Sequence, residues 1–307
     1  MLGHNHSHSD GHSHGPVNYN RAFALGVALN LAYVILEAGF GLTSRSLALL
    51  ADAGHNLSDV LSLLLAWAAN HLSTVRPSKK RTYGWGRSSI IAALLNAVLL
   101  LVAIGGIAWE AVHRFTAPEP VPGGTMMLVA GFGVVINAAT ALLFMKGRDR
   151  DLNIRGAFLH MVADAGVSAA VVLGGFIISR TGLFWIDPLL SLLVVAVIAI
   201  GTWGLLRDSF NLSLDAVPPS IDIGAVEKYL ESVPGISRVH DLHVWGMSTT
   251  KTALTAHLVK PDCRLDDALL ATIQAELHER FGIEHMTIQL EAGDEDCTCA
   301  QEPPHVV

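Results

Sequence analysis

Two apolar stretches of the chain carry the same pair of ionisable residues at the same spacing. One reads Asp52-Ala-Gly-His55-Asn-Leu-Ser-Asp59 and the other His160-Met-Val-Ala-Asp164, so His-x-x-x-Asp occurs in each. On a helix, residues i and i+4 lie on one face about a turn apart, and each pair aims an imidazole and a carboxylate at one spot. Two such helices side by side bring together His55, Asp59, His160 and Asp164. Two nitrogens and two oxygens suit tetrahedral Zn²⁺, whereas Mg²⁺ or Ca²⁺ demands more oxygen donors. The bland alternative is that each pair satisfies itself and plugs a helix contact. An ionisable group at bilayer depth costs at least a few kcal/mol, and its duplication in two separate apolar stretches weighs against packing alone. Asp52, one turn before His55, reads as a supporting or helix-end residue. Asn30 and Glu37 share a face of an earlier stretch, and Asn56, Asn96 and Asn137 read as interhelical hydrogen-bond partners. A zinc hydrolase would need an open water position and a general base, and His-Glu-x-x-His occurs nowhere in the chain. Four protein ligands favour holding and releasing an ion.

The elements that must position these ligands are long helices. The 307 residues are 51% hydrophobic and 15% charged, with mean hydropathy +0.45, which is too apolar for an ordinary soluble chain. Only 7% are aromatic, so Ala, Leu, Val and Ile dominate and helices are favoured over a barrel. Six stretches approach the length, about 20 residues, that crosses a bilayer: 22–42, 47–72, 89–112, 125–145, 157–179 and 184–206. Arg76, Lys79, Lys80, Arg81 and Arg87 lie between the second and third, and Lys146, Arg148, Arg150 and Arg155 between the fourth and fifth. The opposite side has only Arg45, Arg114 and Arg180. The basic loops, and with them both termini, are therefore expected on the cytosolic side. A net charge of −7 argues against nucleic acid as a partner.

The remaining segments divide the chain further. Residues 1–17 hold His4, His6, His8, His12 and His14 in a setting that cannot build a core but offers imidazoles to a metal; they lack the pattern of a signal peptide. Residues 18–208 form the membrane domain. After Pro218-Pro219 the pattern turns amphipathic, and 209–292 reads as helix 222–233, strand 238–245, strand 251–259, helix 262–281 and strand 286–291. This αββαβ order predicts a ferredoxin-like unit with two helices on one face of a three-stranded sheet. Residues 293–307 form an acidic tail with Cys297 and Cys299, the pair being candidate metal ligands. Three cysteines in all cannot build a disulfide framework.

Taken together, the paired His-x-x-x-Asp, the six spans, the His-rich start and the αββαβ end resemble the cation diffusion facilitator family, most closely its bacterial zinc, cobalt and cadmium efflux members. Local strings carry the likeness: Leu47-Ala-Leu-Leu-Ala-Asp-Ala-Gly-His55, Lys80-Arg-Thr-Tyr-Gly-Trp-Gly-Arg87, His240-Asp-Leu-His-Val-Trp245 and Thr287-Ile-Gln-Leu-Glu291. The resemblance implies a homodimeric exporter in the bacterial inner membrane that moves Zn²⁺ out of the cytosol against protons. It also implies a zinc site in the cytosolic domain, for which His240, His257, His285 and Glu291 are the candidates, with Asp267 as a further one. His243 is one residue out of phase and is expected to face away. Arg87 and Asp215 match a charge pair between membrane and cytosolic domains. A second zinc site of some members, after the second span, has no ligands in Ser78-Lys-Lys-Arg81-Thr-Tyr-Gly-Trp85. Ligand chemistry does not rank Zn²⁺ against Cd²⁺, Co²⁺, Ni²⁺ and Fe²⁺. The alternative function is a membrane-bound zinc sensor or store that binds without moving ions; vectorial, pH-dependent flux separates the two.

Overall fold

The computed structural model describes residues 19–73, 75–145, 152–262 and 267–292. Six long helices come first: α1 (Tyr19–Thr43), α2 (Leu47–Ser73), α3 (Ser88–Thr116), α4 (Gly123–Phe144), α5 (Leu152–Thr181) and α6 (Ile186–Ser213). Among the described residues, four segments are long and apolar enough to cross a membrane: Ser88–Thr116, Gly123–Leu142, Phe158–Thr181 and Ile186–Ser213. Prolines at 118, 120 and 122 end α3 and open α4. Gly182 at φ +69° turns the chain out of α5.

The bundle inverts the polarity of a soluble fold. Ile91, Leu95, Leu99 and Val102 on α3, Leu128, Phe132 and Val135 on α4, and Leu189, Leu193, Val197 and Ile200 on α6 form exposed apolar stripes at three- and four-residue spacing. Glu37, Asp52, Asn96, Asn137, Asp164, Ser168 and Asp187 are buried instead. Such an arrangement is stable where the surroundings are hydrocarbon and the polar groups find partners inside.

The second unit contains α7 (Ile223–Glu231), β1 (Arg238–Gly246), β2 (Thr252–Val259), α8 (Asp267–Phe281) and β3 (Ile283–Glu291). β2 is central, antiparallel to β1 and parallel to β3. Asp222 caps α7 by accepting from the amides of Gly224 and Ala225 at 3.0 and 3.2 Å. Val226 and Leu230 of α7 and Ile273 and Leu277 of α8 pack with Leu254, Ala256 and Leu258 of β2. The alternate β2 residues, Thr255 and His257, therefore point to the other face of the sheet.

Candidate metal centre

α2 and α5 bring the four sequence-predicted ligands together. His55 Nε2 lies 3.1 Å from Asp164 Oδ1 and 3.7 Å from Asp59 Oδ2. His160 Nε2 lies 3.2 Å from Asp59 Oδ2 and 3.5 Å from Asp164 Oδ2. Each imidazole thus touches both carboxylates. With metal–ligand bonds near 2.0–2.1 Å, the edge of a tetrahedron is about 3.3 Å; one donor atom each from His55, Asp59 and Asp164 lie within 4.8 Å of one another, and His160 adjoins both carboxylates. Among the described residues the buried Oδ2 of Asp164 has no hydrogen-bond partner, and a cation would satisfy it.

The orientation of α2 is fixed from another helix. Asp187, the second residue of α6 and fully buried, accepts from the Ser46 hydroxyl, from the Leu47 amide at 2.9 Å and from the Ala48 amide at 3.3 Å. A carboxylate on the first amides of a helix satisfies orphan donors and meets the positive end of the helix dipole. Farther along α2, Asn96 of α3 donates to Ser58 and Ser62 at 3.3 and 3.0 Å. Asn56 donates to Glu37 of α1 at 3.1 Å. These two asparagines make the interhelical bonds expected of them, whereas the buried Asn137 amide nitrogen has no partner.

A second cluster lies on the free face of the sheet. His240 Nε2 is 3.0 Å from Glu291 Oε2, and His257 Nδ1 is 2.8 Å from Glu291 Oε1. The donor atoms of His240, His257 and Glu291 all lie within 4.8 Å of one another. The expectation that His243 faces away fails. His240 pairs with His257 but His243 pairs with Thr255, because a bulge places one extra residue in β1. Asp241 sits in that bulge at φ +50°, a backbone region that Asp tolerates better than most residues. The bulge turns His243 to the cluster's face, where Asp241 bridges it at 2.9 Å to His257 at 3.4 Å. Sequence reasoning missed Asp241 altogether.

The other candidates fall elsewhere. Six residues separate His285 from Glu291 along β3, about 20 Å at the usual rise, so His285 is not a fourth ligand of this cluster. It stacks edge-on with Tyr83 at 5.3 Å between ring centres. Asp267 is exposed in the first turn of α8 and belongs to neither group. Cys297 and Cys299, like the His-rich segment, lie outside the described residues. Arg87, just before α3, pairs with Asp215, just after α6. Beside that pair, Thr249 donates its amide to Ser89 Oγ at 3.1 Å. A Cβ on Gly86 would come within 2.8 Å of the Met247 carbonyl oxygen. The turn between β1 and β2 therefore rests directly on the loop ahead of α3.

Comparison with known proteins places these sites in a family context. Residues 23–212 match the family model described as the cation efflux transmembrane domain, and residues 218–293 match the cation efflux protein, cytoplasmic domain. The chain is 38% identical over 289 residues to the zinc transporter ZitB of Escherichia coli K12, covering 93% of this chain and 92% of the relative. It is 35% identical to the metal cation efflux system protein CzcD of Cupriavidus metallidurans, covering 92% and 90%. A cadmium, cobalt and zinc/H(+)-K(+) antiporter of Bacillus subtilis is 34% identical, covering 92% of each chain.

Proposed function

The chain belongs to the cation efflux, or cation diffusion facilitator, family, and we propose that it exports Zn²⁺ from the cytosol in exchange for protons. The observation that carries this reading is the ring of His55, Asp59, His160 and Asp164, in which each imidazole lies within 3.7 Å of both carboxylates. All four groups must be deprotonated to bind Zn²⁺, so metal and protons compete for one site. Loading from one side and protonation from the other is then an exchange. The ring lies at a seam suited to opening: α4 and α5 pack along much of their length, as do α3 and α6, while α2 and α5 touch sparsely. Alternating access would move the α4–α5 pair relative to α2 and alternately expose the ligands. The name of ZitB, a zinc transporter, and that of the cadmium, cobalt and zinc antiporter support Zn²⁺ as substrate with Cd²⁺ and Co²⁺ beside it; Ni²⁺ and Fe²⁺ are chemically admissible.

The finer parts of the reading follow from charge distribution and family resemblance. Six spans place both termini and the basic loops on the cytosolic face of a bacterial inner membrane. The protein works as a homodimer, joined through 209–292, with a His-rich arm at 1–17, the transport bundle at 18–208 and an acidic tail at 293–307. The His240–His257–Glu291 cluster binds Zn²⁺ as a regulatory ligand. Arg87 and Asp215 link that domain to the bundle. The molecule is a secondary active transporter, not an enzyme.

Zinc flux into proteoliposomes under an imposed pH gradient tests this, with Cd²⁺ as competitor. Gradient-driven uptake in the wild type, abolished in a folded Asp164→Ala variant, is the expected result. A folded wild type that binds zinc without moving it would instead identify a sensor or store.

A further inference from the structure

Glu37 and Asp52 form a second ionic site in the bundle, apart from the metal ligands. Both are out of solvent, at 0% and 1% exposure, and Asn56, which holds Glu37, lies one turn beyond Asp52 on the same face of α2. Three of their four oxygens have donors. Tyr33 donates to Glu37 Oε1 at 2.8 Å, Asn56 donates to Glu37 Oε2 at 3.1 Å, and Ser168 donates to Asp52 Oδ2 at 3.0 Å. Asp52 Oδ1 has none. The pocket is closed from α4, where a Cβ on Gly133 would meet the Tyr33 hydroxyl at 2.2 Å and the Ser168 hydroxyl at 3.0 Å.

A buried carboxylate oxygen without a donor, in a closed pocket that also holds a second carboxylate, is costly. Two carboxyls sharing one dry site do not both ionise; a proton between them removes the repulsion and supplies the missing donor. We propose that Glu37 and Asp52 bind one proton between them and that this proton is exchanged during transport, in addition to those displaced at the metal ligands. The exchange part rests on the antiport reading above.

The surroundings give the coupling its sign. Tyr33 on α1 is the ionisable group bonded to Glu37, and His55 on α2 and Asp164 on α5 each lie about a turn from Asp52 or from the Ser168 that holds it. α4 contributes no ionisable residue. α3 and α6, which also pack on α2, carry theirs near their ends: Glu110, His113 and Arg114, and Asp187, Arg207 and Asp208. Asp52 precedes His55 by three residues, about 5 Å along α2, and Ser168 follows Asp164 by one turn of α5. A divalent cation held by His55 and Asp164 therefore places positive charge roughly a turn away and favours loss of the shared proton. Departure of the metal favours its return. Metal and proton thus exclude one another without sharing a ligand.

The test is the infrared spectrum of the reconstituted full chain at neutral pH without metal, in the wild type and in the isosteric Glu37→Gln and Asp52→Asn variants. The wild type is expected to show the carbonyl stretch of a protonated carboxyl, lost in each variant. Absence of that band in the wild type, or its persistence in both variants, overturns the proton site. In the flux assay, counting protons and zinc together, Glu37→Gln is expected to move one proton fewer per Zn²⁺. An unchanged ratio overturns the exchange. The band is read without zinc, so a wild type with the band but no flux would refute the antiport reading, and the exchange with it, while the proton site stands. Zinc binding by calorimetry confirms that each variant is folded around its metal ligands.

Discussion

Removing the Asp187 side chain should disconnect α2 from α6 and loosen the metal ligands on α2. In Asp187→Ala, the amides of Leu47 and Ala48 and the hydroxyl of Ser46 lose their acceptor inside the bundle. A buried donor left unsatisfied costs about 1–3 kcal/mol, and loss of a helix cap about 0.5–2 kcal/mol. Removing a buried carboxylate returns part of this, because its own desolvation is relieved. A net destabilisation of about 2–4 kcal/mol remains, corresponding to a fall in melting temperature of roughly 5 °C or more. Asp187→Asn keeps one acceptor oxygen and the shape but loses the charge that meets the helix dipole, so it should fall between Ala and the wild type. Thermal unfolding of the detergent-solubilised protein ranks the three, and calorimetry reads zinc affinity in parallel. The order wild type, Asn, Ala should appear in both measurements. An Ala variant that melts with the wild type, or that keeps its zinc affinity while losing stability, would refute the claim that this contact positions His55 and Asp59.

Other substitutions probe the docking of the two domains and the cytosolic cluster. Gly86→Ala should push the Met247 carbonyl away and slow disulfide formation between cysteines introduced at Ser89 and Thr249, whose backbone and hydroxyl groups now touch; an unchanged rate would show that the turn does not rest there in solution. In the full chain carrying Asp164→Ala, His257→Ala should weaken the remaining zinc binding at least tenfold by calorimetry, while His285→Ala should leave it intact; equal losses would contradict the separation along β3. Arg87→Asp or Asp215→Arg alone should each reduce zinc flux, and the double reversal should restore it. The pair is about half exposed, so thermal stability should change by less than about 1 kcal/mol, and a double variant no better than the singles would sink the linkage.

The sequence made the metal ring legible because a four-residue spacing has one meaning on a helix, and both copies lie in stretches too apolar to be anything else. Helix ends were less legible. The sixth apolar stretch closes at Leu206, before Arg207-Asp208, yet α6 continues to Ser213; hydropathy marks where a helix meets hydrocarbon, while its hydrogen bonds continue into water. Asp187-Pro188 resembles a cap for its own helix, and only the tertiary structure reveals that the carboxylate caps α2. His243 was misplaced because parity along a strand holds only without a bulge, and Asp241 offered a weak signal for one. His285 entered through the family resemblance, which says nothing of its distance from Glu291 along β3.

The same helix, α2, carries every interaction on which the transport reading depends. α6 holds its first turn through Asp187, α1 meets it through Glu37 and Asn56, α5 through the His–Asp ring, and α3 through Asn96. Three of these contacts involve carboxylates, but they differ in what can replace their partner. Asp187 binds backbone amides, which are neutral, fixed and indifferent to metal, so that end of α2 is an anchor. On the proposed reading, the His–Asp ring and the Glu37–Asp52 pair bind ions that leave, and each ion alters the cost of the other through charge alone. The part of α2 free to respond to its cargo is therefore the segment from Asp52 to Leu57, between the anchor at Leu47 and the asparagine clasp at Ser58 and Ser62. Adjustment there, as the α4–α5 pair moves against α2, would expose the ligands without unpacking the helix ends, which is what an exchanger needs if one ion is to enter as the other departs.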